Sequence, residues 1–112
     1  MKRSEIWLIN LEPTIGAEIR KKRPAIIVND DELGILPLRV IVPITDWKDK
    51  YEAAEWMIKI EPDEDNHLKK TSSADCFQIR SLSEERLIKK IGFVDELIMH
   101  KIAIGLSRVL MI

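Results

Sequence analysis

At 112 residues, with 46% apolar and 33% charged residues, the chain can close one hydrophobic core, which excludes an intrinsically disordered polymer. No apolar run approaches the ~18 residues that a membrane-spanning helix needs. A formal charge of −1 and a pI near 6.1 exclude a surface that is basic all over, yet the charge is segregated: Arg20, Lys21, Lys22 and Arg23 are consecutive, while Asp30, Asp31 and Glu32, then Glu61, Asp63, Glu64 and Asp65, gather acids elsewhere. The basic run fits either a local anion-binding patch or a solvated loop.

The segment Met1 to Glu5 leads straight into strand-like sequence, without the apolar stretch and cleavage site of a signal peptide, so a cytoplasmic protein is expected. Cys76 has no partner for an internal disulfide, and His67 and His100 do not complete a zinc site with it; neither metal nor cofactor is expected. No repeat or linker divides the chain, so residues 1–112 read as one domain.

Glu5 to Ile9 is rich in β-formers and predicts a first strand, and Ala25 to Val28, after Pro24, a second. Between them Leu11 to Arg23 carries Pro13, Gly16 and the basic run, a connection longer than a hairpin turn and of the kind that carries function. Acids, Gly34 and Pro37 precede a third strand over Leu38 to Val42, which is expected to stop at Pro43 because proline removes a ladder donor. Trp56 to Ile60 predicts a fourth strand, Ala74 to Ile79 a fifth and Lys89 to Val94 a short sixth; Ser81 to Glu85 carries the capping signature of a one-turn helix. Leu97, Ile98, Ile102, Leu106, Val109 and Leu110 then recur at three- and four-residue steps behind Asp95 as N-cap, which predicts an amphipathic C-terminal helix. Five or six short strands and one packing helix predict an α+β, mainly β fold: a small, strongly bent antiparallel barrel. Trp7, Trp56, Phe77 and Phe93 lie in apolar strand patterns and read as core, Cys76 as a small buried residue, and the two histidines receive no role.

Several segments, in order and spacing, resemble the MazF/PemK toxin family: Glu5 to Leu8, Pro13 to Glu18, Arg23 to Val28, Val42 to Thr45 and Gln78 to Leu82, with Leu87 to Phe93 and the final helix matching its ending. The likeness covers nearly the whole chain. It implies an SH3-like β-barrel with a C-terminal helix, a homodimer, and a metal-independent endoribonuclease that cuts single-stranded mRNA at short sequences. It also implies a MazE-like antitoxin whose acidic tail fills the RNA groove. Carried over by position, the family's active-site arginine falls on Arg23 and its threonine on Thr45, with Gly16 and Glu18 on the loop at the groove rim.

Such chemistry is self-consistent. Cleavage without a metal needs the neighbouring 2′-hydroxyl to attack phosphorus, giving a 2′,3′-cyclic phosphate and a 5′-hydroxyl; a proton must leave, phosphate charge must be neutralised and the departing 5′-oxygen protonated. A guanidinium grips two phosphate oxygens and stays charged, which suits Arg23; the Thr45 hydroxyl can hold the phosphate or orient the 2′-hydroxyl. Each residue also has a plain reading, as an arginine packing its stem at a strand entrance and a threonine satisfying a turn. Where some relatives carry an acid before the glutamine, this chain has Phe77; regular alternation would put Asp75 on the same face as Phe77, so Asp75 and Glu18 are the candidate bases. Arg20, Lys21, Lys22, Gln78 and Arg80 are candidate RNA contacts. Trp47 fits either base stacking or burial, and Ser72 and Ser73 either the groove or a polar turn. Two other functions remain open from sequence: a CcdB-like gyrase poison acting through Val109 to Ile112, and a non-catalytic relative that binds RNA or antitoxin.

Overall fold

Seven antiparallel strands form one curled sheet in a computed structural model that describes residues 1–19, 21–33 and 35–112; the readings placed on Arg20 and Gly34 fall outside it. The strands are β1 (Glu5–Asn10), β2 (Lys22–Ile27), β3 (Leu38–Asp46), β4 (Met57–Ile60), β5 (Ser72–Asp75), β6 (Arg80–Ser83) and β7 (Leu87–Phe93), followed by helix α1 (Glu96–Leu110). Their order is β4-β5-β3-β2-β1-β7, with β6 also on β3; among the described residues no ladder joins β4 to β7, so the barrel-like curl stays open. No helix among them is long and apolar enough to cross a membrane.

Three expectations are corrected. The fifth strand breaks at a 3₁₀ turn, Cys76–Gln78, into β5 and β6, because the Asp75 carboxylate accepts from Phe77 N–H and caps the turn. The one-turn helix sits slightly later, at Glu84–Arg86, with the Ser83 hydroxyl accepting from Glu85 N–H (3.3 Å). The third strand runs through Pro43 to Asp46. Val28 N–H donates to Val40 O (2.9 Å), so by alternation Val42 carries the bonds to β2 while Pro43 faces the other side. There β6 pairs only up to Ile41 and β5 only from Ile44, and no ladder needs the missing N–H.

Pro24 has the opposite consequence. The same alternation points its nitrogen at β3, where it has no proton to give Ile44 O, and the β2–β3 ladder stops at Ala25–Pro43. Beyond that pair β2 continues against β1 as far as Lys22, while β3 pairs with β5.

The sheet has two apolar faces. On one, Ile6, Ile26, Val42, Ile44, Ile60, Ala74 and Cys76 pack with Met99 and Ile102 of α1. The helix begins as expected, with the Asp95 carboxylate accepting from Ile98 N–H (2.9 Å). Its stripe differs by a step: Leu97 and Leu110 are exposed, whereas Met99 and Gly105 face inward. A Cβ at Gly105 would sit 2.9 Å from Cys76 Sγ, so glycine permits the close approach of helix and turn. On the other face Ile9, Leu11, Ala25, Ile27, Ile41, Leu82 and Leu87 form a second cluster, flanked by Trp7 and Ile19. Cys76 and partly buried Trp7 match the core reading; Trp56, Phe77 and Phe93 do not. Trp56 precedes β4, Phe77 leaves the sheet in the 3₁₀ turn, and Phe93 is the last residue of β7, paired with Glu5.

Candidate active site

The second face collects most of the residues singled out from sequence. Ile9 pairs with Arg23, Thr45 with Ser73, and Ser73 with Lys59; counting on from Ala25–Pro43 puts Arg23 across from Thr45, just where the β2–β3 ladder has ended. In the adjacent row Asp75 pairs with Met57 and, by the β3–β5 register, falls across from Pro43. Arg23, Thr45 and Asp75 therefore lie on the face away from α1, in two neighbouring rows.

The Arg23 Nε is buried and has no hydrogen-bond partner among the described residues. An unmet buried donor costs ~1–3 kcal/mol, more for a charged group, so folds keep few of them. An anion drawn to the guanidinium removes that cost. Thr45 is half-buried.

Asp75 is 5% exposed. Its carboxylate accepts from Phe77 N–H (3.1 Å) and from Gln78 Nε2 (3.2 Å). Burial pushes its pKa above the usual carboxylate value, against the opposing pull of those bonds. Asp75 and Phe77 do not share a face as alternation implied, because the turn sends Asp75 inward and Phe77 out. Gln78 ties this turn to the β1–β2 loop: Ile19 N–H donates to its Oε1 (2.7 Å) and its Nε2 donates to Ala17 O (3.5 Å). Glu18 is exposed, accepts from Ile15 N–H (2.8 Å) and lies 3.9 Å from Arg80. Gly16 holds φ +61° on the same loop, a left-handed conformation that favours glycine.

A cleft of about 600 Å³ opens between loop and turn, lined by Leu11, Ala17, Glu18, Ile19, Phe77, Gln78, Ile79 and Arg80. Its lining does not include Arg23 or Thr45, but Leu11 and Ile19 pack in the cluster of Ile9, the partner of Arg23. Lys21 and Lys22 are exposed at the entrance to β2. Trp47 is half-buried, meets Tyr51 edge-on (centroids 5.8 Å) and lies under Lys59 Nζ at 5.1 Å from its ring centre, so it both packs and presents an aromatic surface. Ser72 and Ser73 are buried in β5 rather than in a polar turn; the Ser72 hydroxyl donates back to Lys70 O (2.9 Å) and the Ser73 hydroxyl donates across to Met57 Sδ of β4 (3.2 Å). Burial, then the neighbouring Asp75 charge, push the Cys76 thiol up to about 12, so it is not a nucleophile. Among the described residues no group of three His, Cys, Asp or Glu side chains converges as a metal site.

Sequence reading missed the exposure of Phe77, the placement of Lys59 over Trp47 and the apolar lining of the cleft. The capacity of the Asp75 carboxylate to accept from the backbone N–H two residues on, with the Gln78 amide three residues on, was the available signal for the turn that exposes Phe77.

Comparison with known proteins supplies the family. The chain is 31% identical over 100 residues to the endoribonuclease MazF9 of Mycobacterium tuberculosis, covering 84% of this chain and 82% of that one. MazF of Deinococcus radiodurans shares the fold at TM-score 0.82 and 18% identity, over 100% of this chain and 97% of that. An endoribonuclease solved with its cognate antitoxin from Mycobacterial species does so at TM-score 0.77 and 18% identity, over 100% and 96%. Residues 2–110 match the family model described as PemK-like, MazF-like toxin of type II toxin-antitoxin system, so the chain belongs to that family and is a toxin endoribonuclease.

Proposed function

We propose that this toxin cuts single-stranded mRNA without a metal, through Arg23 and Thr45, as one domain over residues 1–112 acting in the cytoplasm as a homodimer. The 2′-oxygen bonds to phosphorus as its proton passes to a base, the bond from phosphorus to the 5′-oxygen breaks, and that oxygen takes up a proton. Arg23 neutralises the phosphate with its fork, and Thr45 donates to a phosphate oxygen or aligns the 2′-hydroxyl. Asp75 is the better base of the two candidates, since burial makes it more basic than an ordinary carboxylate, whereas Glu18 stands exposed beside Arg80. Gly16 shapes the loop; Lys21, Lys22, Trp47 and Arg80 bind the strand, with Arg20 in the same basic run, while Gln78, first read as an RNA contact, serves the groove by holding the loop against the turn.

One observation carries this reading: a buried guanidinium nitrogen with no hydrogen-bond partner among the described residues, on the same sheet face as a half-buried threonine, where proline has ended a ladder. A MazE-like antitoxin would compete for the same groove, in keeping with the antitoxin complex of the mycobacterial relative. The test is incubation with a long single-stranded RNA in EDTA, followed by mapping of the ends. Discrete cuts with 5′-hydroxyl ends, lost in Arg23→Ala and Thr45→Ala, are expected; intact RNA, or cuts that depend on added metal, defeat the reading.

A further inference from the structure

Phe77 lies in the turn that Asp75 caps, yet its side chain is 65% exposed and contributes no core packing to either sheet face. It is held in place all the same. Its N–H bonds Asp75, and its ring meets Trp56 edge-to-face at 5.9 Å and 70°, an arrangement that fixes the ring while leaving aromatic surface open. The ring borders the 600 Å³ cleft, whose other walls are apolar (Leu11, Ile19, Ile79) except for the amide of Gln78 and the charges of Glu18 and Arg80. Gln78 is committed to Ile19 and Asp75, so loop and turn stand at a set separation. A slot with an ordered aromatic wall, aliphatic sides and a guanidinium suits a flat apolar base attached to a phosphate.

We propose that Phe77 is a stacking platform that receives one unpaired base of the RNA substrate in this cleft, with Arg80 on the adjoining phosphate; the proposal rests on the RNA-cutting reading above. Phe77 thereby sets binding and the choice of cut sequence rather than the chemical step.

The wild type is first used to map cuts in a long single-stranded RNA. A heptanucleotide of the mapped sequence, carrying a 2′-O-methyl group only at the attacking ribose, then serves as an uncuttable probe, together with versions lacking the base at one position at a time. Phe77→Ala should weaken binding of the intact probe roughly tenfold, Phe77→Tyr and Phe77→Trp should restore it, and Phe77→Leu should not. One abasic probe should lose the same factor with wild type and nothing more with Phe77→Ala. The proposal is overturned if Phe77→Leu, shown folded by its thermal transition, binds as wild type does. It is equally overturned if Phe77→Ala weakens every abasic probe by the same factor, or weakens only an acidic antitoxin peptide. The two readings fail separately: cutting that survives Arg23→Ala defeats the assigned chemistry and leaves the base cycle standing, whereas additive losses with an inert Arg23→Ala defeat stacking alone.

Discussion

The two faces of the sheet solve the same problem differently. Against α1 the strands present Ile, Val, Ala and Cys, and the helix seals them with Met99 and Ile102. On the opposite face aliphatic residues share rows with Arg23, Thr45, Ser73 and Asp75, and part of the cover is the β1–β2 loop, held by Gln78. A helix covering an apolar stripe stabilises by burial alone; a loop fixed through a glutamine can tolerate buried polar groups and leave a cleft open. The buried cluster on the helix face is thus wholly apolar, while the other face combines a buried aliphatic cluster with the polar residues assigned to the proposed chemistry.

The sharpest challenge to that division is Arg23→Ala. Removing the phosphate-holding fork should slow cleavage by about 10³-fold, while thermal stability holds or rises slightly because an unmet buried donor disappears; end-mapping and a melting curve on one sample decide it. Ile102→Ala tests the other half. Truncating a fully buried side chain should cost about 2–5 kcal/mol in urea titration, with the cut sequence and rate per folded molecule unchanged. Thr45→Ala should slow cleavage by about 100-fold, the usual loss for one preorganised donor, with Thr45→Ser recovering most of it. A variant that moved stability and rate together would blur the division.

Much of the helix face was legible in advance, because periodicity reports burial. The Asp95 cap, Ile98, Ile102, Leu106 and Val109 all emerge from spacing alone. The inward glycine did not, since its role depends on the Cys76 sulfur that meets it. The other face was legible chiefly through motif order. Composition could not show that two prolines do opposite things, Pro43 continuing a strand and Pro24 ending a ladder; that depends on which side of each strand the missing proton would point. Nor could alternation foresee Phe77, because a turn over Cys76–Gln78, capped by the Asp75 carboxylate, stands where the strand was expected to continue.

The smallest expected effect concerns two acids that respond to pH with opposite signs. For Glu5 burial works upward, but bonds from Lys2 N–H, Trp7 Nε1–H, Lys90 and the N-terminal ammonium outweigh it and hold the carboxyl at about 2, below its usual 4.5. Between those values the unfolded chain binds the extra proton, so the stability from Glu5 is present above pH 4.5 and fades as pH falls toward 2. Asp75 is raised by burial, so on acidification the native state takes up its proton first, and its contribution becomes less favourable as pH rises above 3.8. Stability differences from wild type should therefore diverge between pH 3 and pH 7 in urea titrations. Glu5→Gln should cost more at pH 7 than at pH 3, and Asp75→Asn should cost less at pH 7 than at pH 3. Comparing each variant with itself at two pH values cancels the fixed penalty of pointing an Asn amide at Gln78. If Asp75→Asn shows the same difference at both, Asp75 is not the desolvated carboxylate that its role as a base requires.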